Sequence, residues 1–124
     1  IHNHYLEVGN LEHSMKLLYG PFEAARSGNK KIEIRLNDVK RQSVQIDDVI
    51  IFSKVEEPEV KLKVKVIEKD TYDTFQQLLS HYDNVELGFD NQETLAQKVS
   101  RLYSIYDQQD ELNYGVVALK IELI

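Results

Sequence analysis

From Lys61 to Val66 the chain alternates lysine with an apolar residue without exception (KLKVKV), and no other feature constrains its fold as tightly. Successive side chains of a strand point to opposite faces, so Leu62, Val64 and Val66 share one face and Lys61, Lys63 and Lys65 the other. Three lysines in register cannot all leave water, which makes that second face a solvent or ligand face. The plainer of the two readings is a solvated face whose lysines discourage edge-to-edge association. A second run, Lys31-Ile32-Glu33-Ile34-Arg35-Leu36, has the same period. It is a half-buried strand with Ile32, Ile34 and Leu36 toward the core and Lys31, Glu33 and Arg35 on the opposite face.

The other elements follow from punctuation and periodicity. Met15 to Tyr19 reads as a first short strand. Pro21-Phe-Glu-Ala-Ala-Arg-Ser-Gly28 is a short helix with Pro at its start and Gly28 in the left-handed position past its end, Phe22 and Ala25 facing inward. Asp47-Asp48 is a turn into the apolar strand Val49–Phe52, and Val55–Glu59 is a loop broken by Pro58. Asp70-Thr71 is expected to cap a helix burying Tyr72, Phe75, Leu78, Leu79 and Tyr82, and Val85–Phe89 to cross over as a loop. Asp90 and Glu93 resemble a capping box for a second helix burying Leu95, Val99, Leu102, Tyr103 and Tyr106. Asp107–Asn113 is expected as a loop, and Tyr114–Ile124 as the closing strand. Strand, helix, three strands, two helices and a strand make neither regular βαβ alternation nor a sandwich. The order fits an α+β fold, a small mixed barrel of about five strands with two to three helices over one opening.

A chain of 124 residues forms one domain. It has no apolar run of membrane-spanning length and no signal-peptide pattern, so the expectation is a cytoplasmic protein with no membrane partner. Zero cysteines exclude disulfides, thiol nucleophiles and thiolate metal sites. His2 and His4, near the first residue and without a carboxylate at helical spacing, fall short of a metal signature, and neither a metal nor another cofactor is expected. With a net charge of −6 the chain is a poor candidate for bulk binding to duplex DNA, whose affinity comes mainly from basic residues neutralising phosphates.

The basic charge is concentrated, however. Between Met15 and Arg41, Lys16, Arg26, Lys30, Lys31, Arg35, Lys40 and Arg41 stand against Glu23, Glu33 and Asp38, a local balance of +4. An anionic partner would be met here. The alternative is a charged sheet face that is merely solvated and paired across strands.

These residues also resemble a known family. His13-x-Met15-x-Leu17, Pro21-Phe22, Gly28-x-Lys30-x-x-Glu33-x-Arg35-Leu36-Asn37-Asp38-x-Lys40-Arg41, Asp48-x-Ile50-x-Phe52 and the Tyr114-Gly115-Val116-Val117 ending together look like the ASCH domain. The resemblance covers residues 13–124 and leaves 1–12 as an N-terminal extension. One departure is Asp47, where the family usually has Gly before the Asp of its second turn. Membership implies a PUA-like β-barrel with a motif-lined cleft for RNA, a nucleotide or a nucleoside.

Two readings of that cleft follow. In the binding module, Arg35, Lys40 and Arg41 hold phosphates, Lys30, Glu33 and Asn37 read a base or ribose, and Tyr103 or Tyr114 offers a stacking surface. In the alternative, one branch of the family suggests an amidohydrolase acting on N4-acylated cytidine nucleosides. Lys30 would then stabilise the oxyanion and Glu33 would handle protons, with Glu86 the candidate for a further carboxylate. That branch carries threonine where this chain has Glu33.

Overall fold

Both alternating runs form strands, and the sheet they join curls far enough to bury charge as well as apolar surface. The computed structural model describes residues 10–124; residues 1–9, with His2 and His4 and most of the expected N-terminal extension, lie outside it. Five strands and six helices occur among the described residues: β1 (Glu12–Leu17), α1 (Tyr19–Arg26), β2 (Ile32–Leu36), α2 (Val39–Gln42), β3 (Val49–Lys54), β4 (Glu57–Tyr72), α3 (Phe75–Leu79), α4 (Asn84–Leu87), α5 (Leu95–Tyr103), α6 (Gln108–Tyr114) and β5 (Val116–Leu123). The strands make one mixed sheet in the order β1-β3-β4-β5-β2, with β1 parallel to β3 and the other pairs antiparallel. This is an α+β half-barrel of the small PUA-like kind. Its two edge strands, β1 and β2, are joined by α1.

Each face of the sheet has a core. Met15, Leu17, Ile50, Phe52, Val64, Val66, Val117 and Leu119 close around Phe22 and Ala25 of α1. On the other face Ile32, Ile34, Val116 and Ala118 pack against Phe75, Leu78, Leu79, Leu87 and Leu102. The face of Lys61, Lys63 and Lys65 is turned to water: Lys63 lies 3.7 Å from Glu12 and Lys65 3.5 Å from Asp47, surface pairs worth little.

Several boundaries differ from the sequence expectation, each for a local reason. β1 starts at Glu12, inside the expected extension. Pro21 is the third residue of α1, where its missing N–H is still one that no helical carbonyl would have taken. β4 runs through Pro58 to Tyr72. Residues 58–60 fall in a register shift against β3, where no ladder N–H is needed, and a second bulge at Ile67 lets β4 bend from β3 toward β5.

Because Asp70, Thr71 and Tyr72 remain in the strand, α3 is capped instead by Thr74, whose side chain accepts from the Gln77 N–H. The capping box of α5 is Thr94 with Gln97 rather than Asp90 with Glu93, and Leu95 is half-exposed. Two expected loops contain short helices: Asp83 caps α4, and Asp107 caps α6, which ends at Tyr114.

Asp47 takes the left-handed backbone that glycine would favour, with φ of 76°, and the turn into β3 forms with the aspartate in place. No helix among the described residues is long and apolar enough to cross a membrane.

Candidate functional site

The geometry of the site begins at the end of α1. Gly28, at φ of 87°, ends the helix, and the Lys30 N–H returns to the Ala24 carbonyl. The Lys30 side chain then runs inward, 6% exposed, past Gly88. Its ammonium donates to the carbonyls of Ile32 at 2.5 Å and Leu87 at 3.0 Å and is paired with Glu33 Oε1 at 3.2 Å. Glu33, 4% exposed, accepts from Arg35 Nε at its other oxygen, at 2.6 Å. Arg35 Nη2 in turn donates to the Lys16 carbonyl on β1 at 2.7 Å. Lys30, Glu33 and Arg35 are thus a buried chain of charge that ends on the opposite sheet edge.

This overturns the reading of Lys31, Glu33 and Arg35 as one open or merely solvated face. Glu33 and Arg35 lie opposite Leu119 and Val117 in the β2–β5 ladder, on the side of the sheet that curls toward β1. Lys31 precedes the strand, is exposed, and lines a hollow of about 290 Å³ that Lys30, Gly28 and Lys120 also line and that neither Glu33 nor Arg35 reaches.

The electrostatics follow from the burial. Desolvation would raise the Glu33 pKa, but the Lys30 and Arg35 charges outweigh it and hold the carboxyl below its usual range. Burial pulls the Lys30 ammonium below its ordinary value against the attraction of Glu33. Arg35 stays above its own, because Glu33 more than offsets its desolvation.

Gly88 is part of the construction: a Cβ there would stand 2.9 Å from Lys30 Cδ, and its φ is 80°. Gly88→Ala is expected to cost about 1–3 kcal/mol through its left-handed backbone and the displaced Lys30 stem. Urea unfolding checks it, and a loss below a few tenths would contradict this packing.

A second arm comes from α2. Asp38 caps it through the Arg41 N–H and lies 3.3 Å from Arg41 Nη1. Lys40 Nζ reaches across to the Ser14 carbonyl at 2.8 Å. Lys69 on β4 donates to the carbonyls of Val44 at 2.7 Å and Gln42 at 3.2 Å and so fixes the end of this helix. Arg41 Nε is buried without a partner among the described residues. Arg35 and Lys40 therefore both bridge the seam between β2 and β1.

The remaining candidates lie elsewhere. Asn37 and Tyr114 line a cleft of about 840 Å³ at the end of β2, with Asp73, Thr74 and Asn113, and the buried Asn37 Oδ1 has no partner among the described residues. Glu86 touches the site through its backbone, its carbonyl accepting from the Lys31 N–H, and its side chain pairs with neither Lys30 nor Glu33. Tyr103 is a core residue: its hydroxyl donates to Glu111 at 2.7 Å, and that bond, together with burial, pushes its pKa up to about 12.

Sequence reasoning missed two contributors. Tyr106, read as core, does stack on Phe75 at 5.2 Å, yet its hydroxyl lies within the field of Arg35, Glu33, Arg41 and Asp38. A tyrosine at an otherwise apolar helical position was the available signal, since its polar tip needs an outlet. Lys69 gave none.

A curled mixed sheet with α1 across its edges and a basic motif buried at the seam is the architecture of a PUA-like domain. The chain belongs to the ASCH domain family, which it matches over residues 15–124. It is similar to the hypothetical protein PH0355, known from a crystal structure, at 32% identity and a TM-score of 0.79, covering 91% of this chain and 99% of that one. It is also similar to protein PF0455 from Pyrococcus furiosus, known from a solution NMR structure, at 30% identity and a TM-score of 0.69, covering 91% and 97%. No curated protein matches the chain.

Proposed function

We propose that the protein is an RNA- or nucleotide-binding module that receives a phosphate at the β1–β2 seam through Arg35 and Lys40, with Arg41 beside them. The observation that supports this best is that Arg35 and Lys40 are both anchored on β1, at carbonyls two residues apart, so two cations stand preset at one strand edge. Glu33 neutralises only one of the two charges it touches. The cleft with Asn37 and Tyr114 is assigned to a base or ribose, and its lining contains no lysine or arginine that would favour a second phosphate there.

The amidohydrolase reading draws less support. An oxyanion-stabilising Lys30 would need to face a substrate, whereas its buried ammonium donates to the Ile32 and Leu87 carbonyls and is paired with Glu33. Lys30 serves the binding reading by fixing Glu33 and, through it, Arg35.

Titration with a short single-stranded RNA and with UMP, followed by fluorescence anisotropy and calorimetry, tests the proposal. Arg35→Ala is expected to weaken binding by about 1–3 kcal/mol, the range for a charge-assisted hydrogen bond. The dependence of log K on log salt should be shallow, corresponding to one or two phosphates. Unchanged affinity in Arg35→Ala, with its fold retained by circular dichroism, removes the seam from the site. Release of acetate from N4-acetylcytidine by the wild type would restore the hydrolase.

A further inference from the structure

We infer that the free edge of β1 carries a main-chain oxyanion site centred on the Lys16 N–H, bracketed by the Lys40 ammonium and the Arg35 guanidinium, with a phosphate group as its ligand. This rests on the nucleotide-binding reading of the seam and names the groups that would receive the anion.

The argument is one of strand parity. Among the described residues β1 has β3 as its one strand partner. The carbonyls of Leu11 and Leu17 accept from Val49 and Val55, so the odd-numbered residues turn their backbone groups toward β3. Within an extended strand the N–H and C=O of one residue point to the same side, and the side alternates with each residue. Ser14 and Lys16 therefore turn theirs outward, into the seam. The two long cationic side chains confirm that direction, because Lys40 Nζ meets the Ser14 carbonyl and Arg35 Nη2 the Lys16 carbonyl.

Read along the edge, the order is Ser14 C=O with Lys40, then Lys16 N–H, then Lys16 C=O with Arg35. Carbonyls two residues apart on a strand are separated by about 6.6 Å, so the N–H lies between the two cations, nearer the Arg35 end. A backbone donor with no strand to pair with among the described residues, flanked on both sides by fixed positive charge, is complementary to an oxyanion between them. The exposed Lys16 side chain adds charge beside it. Water would satisfy the donor equally well, but Glu33 is shared between Lys30 and Arg35 and the Lys40 ammonium meets only a carbonyl here, so the edge keeps net positive charge that water does not balance.

Proline tests the N–H directly. It removes the donor, and an edge strand tolerates it where the N–H faces away from the ladder. Lys16→Ala gives up the side chain and keeps the N–H, whereas Lys16→Pro gives up both. Lys16→Pro is expected to bind UMP about tenfold or more weakly than Lys16→Ala, the scale of one charge-assisted hydrogen bond. Equal affinities in the two variants overturn the inference while leaving the nucleotide-binding reading intact. If neither wild type nor variants bind any nucleotide, that reading fails with it.

The wild type supplies a second measurement that does not depend on the Pro variant folding. On titration with UMP the Lys16 amide proton is expected to move downfield further than those of Met15 and Leu17, and an unmoved Lys16 amide at saturation refutes the site. Repeating the titration with UpU, which has a phosphodiester and no terminal phosphate, and with uridine, which has neither, separates the sources of the anion. Binding by UMP or UpU with uridine silent supports the site, and binding by uridine at equal strength overturns it.

Discussion

Lys30→Met is expected to lower the free energy of unfolding by about 3–5 kcal/mol, the range found when one partner of a buried ion pair is removed and the other charge is left behind. The substitution keeps the length of the stem beside Gly88 and deletes the ammonium. The carbonyls of Ile32 and Leu87 lose their donor, and Glu33 keeps only Arg35. The pH dependence carries the sign of the effect. Glu33 is held below its ordinary range in the folded protein, so its contribution is fully present above the unfolded carboxylate value and is lost as pH falls through the depressed one. Without Lys30 the folded pKa rises, because burial is then opposed by Arg35 alone, and acid unfolding should begin at higher pH than in the wild type. Urea melts of both proteins across the acid range check this. A loss under 1 kcal/mol at neutral pH would show that the buried chain of charge contributes little.

Asp48→Ala should be comparably severe. Asp48 has no exposed surface, and its carboxylate accepts from the Leu11 N–H at 3.0 Å, the Gln45 N–H at 3.0 Å and the His13 ring at 2.8 Å. Burial raises its pKa, but these partners more than offset the rise and leave it lowered. Removing the acceptor strands three donors, each at about 1–3 kcal/mol where water cannot replace it, so a loss of roughly 3 kcal/mol or more is expected. The same bonds tie the start of β1 to the turn before β3. Amide exchange should therefore accelerate along β1 before it does in β4 or β5, and uniform acceleration across the sheet would contradict this local role.

Asp48 was legible in the sequence as a turn residue and as part of the family motif, but not as the acceptor that pins β1. The difference is general to this fold. Alternation placed Glu33 and Arg35 on one face of β2 as found, but carried Lys31, which precedes the strand, along with them, and it says nothing about what covers the second face. That is decided by β1, which the curl of the sheet brings across from the far edge to meet Arg35 and Lys40. Hence Lys30, Glu33 and Arg35 were recognised together while their burial was not. The missed helices α2 and α4 and the misplaced start of α3 have a shorter explanation. α2, α3 and α4 span one turn or little more, too short to leave a helical period, and their caps, Asp38, Thr74 and Asp83, lie among other polar residues that cap as well. Tyr114 was assigned to the last strand because the apolar run begins beside it, yet Gly115, with φ of 69°, separates helix from strand.

The strand that carries Glu33 and Arg35 finds its ladder partners only in residues 116–120. During synthesis β2 leaves the ribosome early and has nothing to pair with until almost the whole sheet has followed it. Long-range pairing of this kind pays its loop-closure entropy before any contact rewards it, and it is slow. The buried charge chain of Lys30, Glu33 and Arg35 cannot be complete before β5 has joined the sheet, so in a refolding experiment amide protection along β2 should appear with the last kinetic phase rather than with the first collapse.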